Sequence, residues 1–157
     1  MLDIALESRE AAYVNQRFQQ HVEEMEAAGQ TLYRGLDENE DTIAYIIPIS
    51  GNAVWGELRG IVALAPSFDE VVGVDFLSHS ETPGLGGRID ELDFKEQFRG
   101  ISIDPEAGGD YLVFRPDPDG QVDAISGATG TSNAVRRIFN EEIHQFMTET
   151  REAVTHE

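Results

Sequence analysis

The sequence has no cysteine, a single lysine and no long apolar run. The lack of cysteine excludes disulfide bonds, thiol nucleophiles and zinc or iron–sulfur centres that are held by thiolates. No uninterrupted apolar stretch approaches the roughly 18 residues of a transmembrane helix. The first residues also lack the basic and then apolar regions of a signal peptide. We therefore expect either a soluble protein or a chain whose membrane anchor precedes this sequence.

Basic residues are scarce relative to acidic ones. Asp and Glu number 30 against 11 for Lys and Arg, which gives a formal net charge of −19. A surface with this charge repels phosphate backbones and anionic lipid headgroups, so the composition predicts that the protein does not bind nucleic acid. The length of 157 residues and the hydrophobic content of 40% predict one domain with a sizeable core.

Apolar residues at helical spacing predict a helix near each end of the chain. The first helix is predicted over residues 3–27 and the second over Ser132–Met147, and a charged tail follows at 151–157. The apolar stripe of the first helix consists of Val14, Phe18, Val22 and Met25. The stripe of the second consists of Val135, Ile138, Phe139, Ile143 and Phe146.

Runs rich in β-branched residues predict strands between the helices. The three clearest runs are Thr42–Ile49, Val54–Leu64 and Val71–Leu77, and a Pro/Asp turn predicts a hairpin between the last two. Weaker patterns predict a short helix over Glu91–Phe98 and strands over Tyr111–Phe114 and Val122–Ile125. The predicted fold is α+β, a single domain with a mostly antiparallel sheet flanked by an N-terminal and a C-terminal helix. We expect the N-terminal helix within residues 1–30 and the main domain over 31–150.

Residues 123–132, DAISGATGTS, combine small residues with hydroxyls between a predicted strand and a predicted helix. Backbone N–H groups at a helix N-terminus and nearby glycines suit an anion such as phosphate. The alternative is that Thr131 or Ser132 only caps the helix and the glycines only form a turn. The sequence contains neither a P-loop nor a dinucleotide-binding glycine motif. In so acidic a protein, a covalent bond through a hydroxyl would retain a phosphate better than backbone donors alone.

The segment D-A-I-S-G-A-T-G-T-S resembles the flavinylation motif D-x-x-[ST]-G-A-T-x-[ST] of the FMN-binding domain family. In that family, the threonine of the G-A-T triplet carries FMN as a phosphoester. The resemblance implies that Thr129 carries FMN covalently. It also implies that the neighbours of Thr129 surround the cofactor; these are Ser126, Gly127, Ala128, Thr131 and Ser132. Gly130 departs from the family, which commonly has a β-branched residue or leucine there.

A second segment, HSETPGLGG at residues 79–87, resembles the family signature that lines the isoalloxazine ring. The resemblance implies that Glu81, Thr82, Gly84 and Leu85 meet the flavin. We expect Trp55 to pack on the ring as well. Residues 48–64 resemble the preceding strand pair in one branch of the family, the C subunit of the sodium-translocating NADH:quinone reductase. The G subunit of the Rnf electron-transport complex is a near relative.

The resemblance implies an electron-relay domain with no substrate chemistry of its own, on the extracytoplasmic face of the bacterial inner membrane. The expected partners are a flavin transferase and the other subunits of a membrane complex. Three alternatives stay open: a protein like the Rnf G subunit, a free-standing soluble flavin carrier, and a flavin-free anion-binding module. We expect no metal site, since the histidines lack ligand spacing. Arg136 and Arg137 are expected on a solvated helix face or near the phosphate.

Overall fold

Five consecutive strands form an antiparallel meander in the computed structural model of the chain, which describes residues 21–156. The spatial order of the strands equals their order in the sequence, β1 to β5. Their bounds are Val22–Ala27 for β1, Gln30–Leu36 for β2, Thr42–Asn52 for β3, Glu57–Leu64 for β4 and Val71–Ser78 for β5. The sheet thus begins at Val22, upstream of the expected domain start at residue 31.

Strands β3, β4 and β5 confirm the sequence prediction, with shifted ends. Tyr45 pairs with Leu64 and Ile47 pairs with Val62, so these apolar side chains share the buried face. β3 runs further than predicted, to Asn52. β4 starts later than predicted because residues 53–56 form a turn, closed by a hydrogen bond of 2.8 Å from the Ala53 N–H to the Gly56 carbonyl. That turn becomes part of the candidate site.

The helix predicted over residues 3–27 lies mostly outside the described residues, and its last part is wrong. Val22–Ala27 form strand β1, which pairs with β2 from Val22↔Gly35 to Ala27↔Gln30. Ala28 and Gly29 have φ of 50° and 77°, which suits the two-residue turn of a hairpin. The pairing with β2 satisfies backbone groups that a helix would have satisfied internally, so tertiary context overrides the helical spacing.

Short helical segments follow the sheet, and the long helix comes last. A 3₁₀ turn spans Gly86–Asp90, α1 spans Leu92–Glu96 and α2 spans Thr129–Gln145. A π-helical turn at Phe146–Thr150 joins α2 to α3, Arg151–Thr155. The helix predicted over Ser132–Met147 is confirmed, although it begins three residues earlier. No helix within residues 21–156 has both the length and the apolarity needed to cross a membrane.

The two strands predicted between α1 and α2 are wrong. Within the described residues, the only ladder contact of these two predicted strands is a parallel bridge between Phe114 and Val122. The Asn140 side chain of α2 satisfies the backbone of Leu112 instead: its Oδ1 accepts the Leu112 N–H at 2.8 Å and its Nδ2 donates to the Leu112 carbonyl at 3.0 Å. The segment is therefore fixed by a buried amide rather than by a neighbouring strand.

Helix α2 packs across the inner face of the sheet and forms the core with it. Ile138, Phe139 and Ile143 are almost completely buried. The helix approaches β3 closely at Gly51, where a Cβ atom would lie 2.7 Å from Ile138 Cγ1. The charged C-terminal segment also contributes to the core, since Val154 of α3 is buried. This packing places the first turn of α2 beside the turn that precedes β4, and the expected α+β class is confirmed.

Candidate functional site

The N-terminus of α2 is open to a ligand. Residue Ala128 occupies the cap position and makes no side-chain hydrogen bond, and the first turn contains no acidic residue. The chain enters the helix through a turn in which the Ala128 N–H donates to the Ile125 carbonyl at 3.0 Å and Gly127 has φ of 76°. Helix N–H groups without internal partners carry a partial positive charge. The geometry therefore suits an anionic group at Thr129.

The four hydroxyls of the motif divide into two pairs. Thr131 and Ser132 are buried and used structurally: Thr131 Oγ1 donates to Glu81 Oε1 at 2.8 Å, and Ser132 Oγ donates to the Ala128 carbonyl at 3.0 Å. The hydroxyls of Ser126 and Thr129 are exposed and form no hydrogen bond with other residues in the described range. The alternative in which Thr131 or Ser132 caps the helix is wrong, because both residues lie inside the helix and Ala128 occupies the cap position.

Glu81 is a buried carboxylate that joins three segments. Its Oε1 accepts the Val54 N–H at 3.0 Å, its Oε2 accepts the Trp55 N–H at 2.9 Å, and the Thr131 hydroxyl completes the set. Burial alone would raise the pKa of Glu81, but these hydrogen bonds, with a smaller contribution from His79, lower it below 4.5. The carboxylate is turned into this network, and Glu81 does not line the adjoining cavity. Glu81 instead positions three residues that do line the cavity, Val54, Trp55 and Thr131.

The 79–87 loop and the 123–132 motif meet around a cavity of about 190 Å³. The sequence-predicted site residues that line it are Trp55, Thr82, Leu85, Gly127, Ala128, Thr129 and Thr131. Ser126, Gly84 and Ser132 do not line it. Three large apolar side chains at its rim are strongly exposed: Val54 by 52%, Trp55 by 67% and Leu85 by 49%. Exposed apolar side chains grouped around a cavity mark a ligand-binding surface.

A larger cavity of about 550 Å³ also includes Thr129. Asn133 and Arg136 line it from the same face of α2, at the fourth and seventh positions after Thr129. An open cleft of about 600 Å³ shares Asn133 and Arg136 and continues along the helix. Sequence reasoning missed Val54 and Asn133, although the i, i+4 spacing from Thr129 points to Asn133. Arg137 does not line the 550 Å³ cavity. It lines the open cleft instead, where it pairs with Glu141 and donates to the Asn52 carbonyl.

The aspartate that opens the motif is held in place by its surroundings. The Gln97 side chain clamps the backbone of Asp123, accepting its N–H at 2.8 Å and donating to its carbonyl at 3.4 Å. The Asp123 carboxylate pairs with Arg115 at 2.6 Å and 3.0 Å, and this hydrogen bonding lowers the pKa of Asp123. These contacts orient the turn that leads into α2.

Close packing explains why position 130 has no side chain in this protein. A Cβ atom at position 130 would lie 3.0 Å from Val54 Cγ2, so the first turn of α2 sits tightly against the turn before β4. The glycine expected to depart from the family pattern at position 130 thus leaves room for the side chain of Val54. No group of His, Asp or Glu side chains between residues 21 and 156 is arranged to hold a metal ion.

Comparisons with known proteins agree with the resemblance. The sequence pattern of the FMN-binding domain family matches residues 54–144. The C subunit of the Na(+)-translocating NADH-quinone reductase of Vibrio vulnificus is 35% identical over 111 residues, which cover 67% of this chain and 44% of the relative. The G subunit of the ion-translocating oxidoreductase complex of Methanosarcina acetivorans is 33% identical over 103 residues, 66% of this chain and 51% of the relative.

Solved structures show the same fold. The C subunit of the Na(+)-translocating NADH-quinone reductase from Parabacteroides distasonis superposes with a TM-score of 0.64 at 28% identity, covering 75% of this chain and 62% of that one. NqrC from Shewanella oneidensis gives a TM-score of 0.63 at 24% identity, covering 78% and 58%. The chain spans about half the length of the curated relatives it matches. The match over residues 54–144 includes the whole candidate site, and the chain belongs to the FMN-binding domain family.

Proposed function

We propose that this chain is an electron-transfer flavoprotein domain that carries FMN as a phosphoester on Thr129. One observation carries the proposal. Of the motif hydroxyls, the Thr129 hydroxyl is exposed, makes no hydrogen bond in the described structure and lines both the 190 Å³ and the 550 Å³ cavities. Ser126, the other free hydroxyl of the motif, lines neither cavity. Thr129 also stands at the uncapped start of α2, where N–H groups favour a phosphate.

The residues around Thr129 fit FMN on structural grounds. The flavin ring needs flat apolar cover, which the exposed side chains of Trp55, Leu85 and Val54 offer at the cavity rim. The phosphate needs donors and an absence of carboxylates, which the first turn of α2 provides. Thr82 is exposed beside the ring cavity and can hydrogen-bond a polar ring edge. Gly84, with φ of 74°, shapes the loop that presents Leu85.

The attachment requires an activated donor. Joining free FMN to a hydroxyl would expel water, and this reaction is unfavourable in water. A flavin dinucleotide solves this problem because its pyrophosphate bond breaks as the new bond forms. The Thr129 oxygen bonds to the flavin-side phosphorus, a nucleoside monophosphate leaves, and the hydroxyl proton passes to a base of the flavin transferase. The product is a phosphate diester between Thr129 and the flavin.

Bound FMN supplies reversible one- and two-electron redox chemistry. The protein holds the cofactor and excludes part of the water around it. Glu81 fixes the turn at Val54 and Trp55 against α2, so the ring wall and the attachment point keep a constant separation. A tethered cofactor can pass electrons between fixed partners without dissociating.

The cellular context is also a proposal, drawn from the relatives. We propose that the domain acts in a complex like the sodium-translocating NADH:quinone reductase, in the place of its C subunit, with the flavin on the extracytoplasmic side of the membrane. Its partners would be the flavin transferase during maturation and the other subunits during turnover. The names of two relatives, one a C subunit of the reductase and one a G subunit of an ion-translocating complex, support a role in a membrane electron-transport complex.

The test is to co-express the chain with a flavin transferase and to examine it under denaturing conditions. We expect a fluorescent band for the wild type and for Ser126→Ala, and no fluorescent band for Thr129→Ala. A peptide mass spectrum should place the added mass on Thr129. A Thr129→Ala band that still fluoresces, or a wild-type peptide without the added mass, would contradict the proposal. Circular dichroism of Thr129→Ala should show an intact fold, since Thr129 is exposed.

A further inference from the structure

Arg136 differs from every other arginine or lysine between residues 21 and 156, because its side chain has no carboxylate partner and makes no hydrogen bond. Each of the others forms an ion pair with Asp or Glu. These paired side chains are Arg34, Arg59, Arg88, Lys95, Arg99, Arg115, Arg137 and Arg151. In a chain with a net charge of −19, carboxylates are abundant. A guanidinium that none of them pairs with therefore indicates a binding site for another anion.

The position of Arg136 connects it with Thr129. Thr129, Asn133 and Arg136 lie at i, i+4 and i+7 on one face of α2 and line the same cavity of about 550 Å³. Long side chains on a helix lean toward its N-terminus, so a guanidinium at position 136 can reach back along this face toward Thr129. The side chain is half-buried, which removes part of its water before any ligand arrives.

Other charged groups at this cavity are already engaged. Arg115 is bound by Asp123 through two hydrogen bonds. Asp117 lines the cavity too, but its Oδ1 accepts the Asp119 N–H within its own turn at 3.0 Å. Arg136 is thus the cation in this cavity that remains available to a negatively charged ligand.

We infer that Arg136 binds the phosphate diester on Thr129, donating from its guanidinium to the two non-bridging oxygens. This inference rests on the proposed function. The diester retains one negative charge after attachment, and the acidic surface of the protein repels it. Guanidinium and phosphate match in geometry, and such bonds are stronger than those between neutral groups. The phosphate therefore faces the cavity of Arg136 and Asn133, which leaves the cavity of Trp55 and Leu85 for the ring.

The experiment uses flavinylated protein and phosphorus NMR. The variants are Arg136→Gln, Arg136→Lys and Arg99→Gln, all co-expressed with the flavin transferase. Arg99→Gln is the matched control, since it changes the net charge equally at an exposed side chain that is paired with Glu96. The phosphorus chemical shift of the diester is recorded at low and high salt, and the rate of flavin attachment is measured with limiting transferase.

The inference predicts a shifted phosphorus resonance in Arg136→Gln, partial return toward the wild type in Arg136→Lys, and no change in Arg99→Gln. High salt should move the wild-type resonance toward that of Arg136→Gln. Attachment to Arg136→Gln should be about fivefold slower at low salt. That factor corresponds to the free energy that a partly exposed ion pair contributes. If Arg136→Gln keeps the wild-type resonance and salt response, the inference is wrong while Thr129 attachment stands. If the wild-type Thr129 peptide carries no flavin, the proposed function fails as well.

Discussion

Replacing Glu81 by glutamine should destabilise the protein far more than replacing a surface carboxylate. Gln keeps one acceptor oxygen but places an NH₂ group against the N–H of Val54 or Trp55, so one hydrogen bond becomes a contact between two donors. A hydrogen bond to a charged group contributes about 1.5–3 kcal/mol. The other two bonds weaken because the acceptor is now neutral. We therefore expect the free energy of unfolding to fall by about 2–3 kcal/mol.

For a domain of this size, that loss corresponds to a melting temperature about 4–12 °C lower. The assay is thermal and urea unfolding followed by circular dichroism at neutral pH. Glu91→Gln is the matched control, because Glu91 is an exposed carboxylate paired with Arg88. Its unfolding free energy should stay within about 0.5 kcal/mol of the wild type. Equal melting temperatures for the two variants would refute the assignment of Glu81 as a three-bond acceptor.

The pH dependence gives a second check on Glu81. Its folded pKa is lowered, so its contribution to stability is fully present above the ordinary value of 4.5. The contribution is lost as the pH falls through the lowered folded pKa. The stability gap between wild type and Glu81→Gln should therefore be constant near neutrality and shrink in acid below pH 4.5. A gap that stays undiminished in acid would contradict this assignment.

Two further substitutions test the walls of the site. Gly86→Ala should destabilise the protein by about 1–3 kcal/mol, because the new methyl would lie 2.3 Å from a hydroxyl of the Glu81 network. Gly73→Ala is its control in urea unfolding and should change stability by less than about 0.5 kcal/mol, since no atom lies within 4 Å of its added Cβ. Trp55→Ala should leave the melting temperature nearly unchanged, since Trp55 is 67% exposed. If Trp55 covers the ring, the same variant should brighten the fluorescence of the attached flavin; unchanged brightness would remove Trp55 from the ring site.

The sequence predicted the parts of the fold that depend on local pattern. β3, β4, β5 and α2 have strong periodicity, and their hydrophobic faces meet in the core. The errors fall where a distant partner decides the structure. The sequence of β1 predicts a helix, but pairing with β2 makes it a strand. The sequence of residues 111–114 predicts a strand, but the side chain of Asn140 binds the backbone of Leu112 in place of a neighbouring strand.

The candidate site was predictable as two motifs but not as a set of contacts. The motif at 123–132 and the loop at 79–87 contain most of the residues that line the smaller cavity. Their spacing gives no sign that Glu81 turns inward to bind the backbone of Val54 and Trp55. The pairing state of Arg136 is equally hidden, because it depends on where every carboxylate of the folded chain lies.

The buried carboxylate of Glu81 has a consequence for how the site moves. It binds residues 26, 27 and 50 positions away in the chain, and each bond relies on the other two to keep water from the same two oxygens. Loosening one wall would expose the charge to solvent and weaken its hold on the remaining walls. The turn before β4, the 79–87 loop and the start of α2 thus form one cooperative unit of local stability. We therefore expect the three segments to open together rather than one at a time.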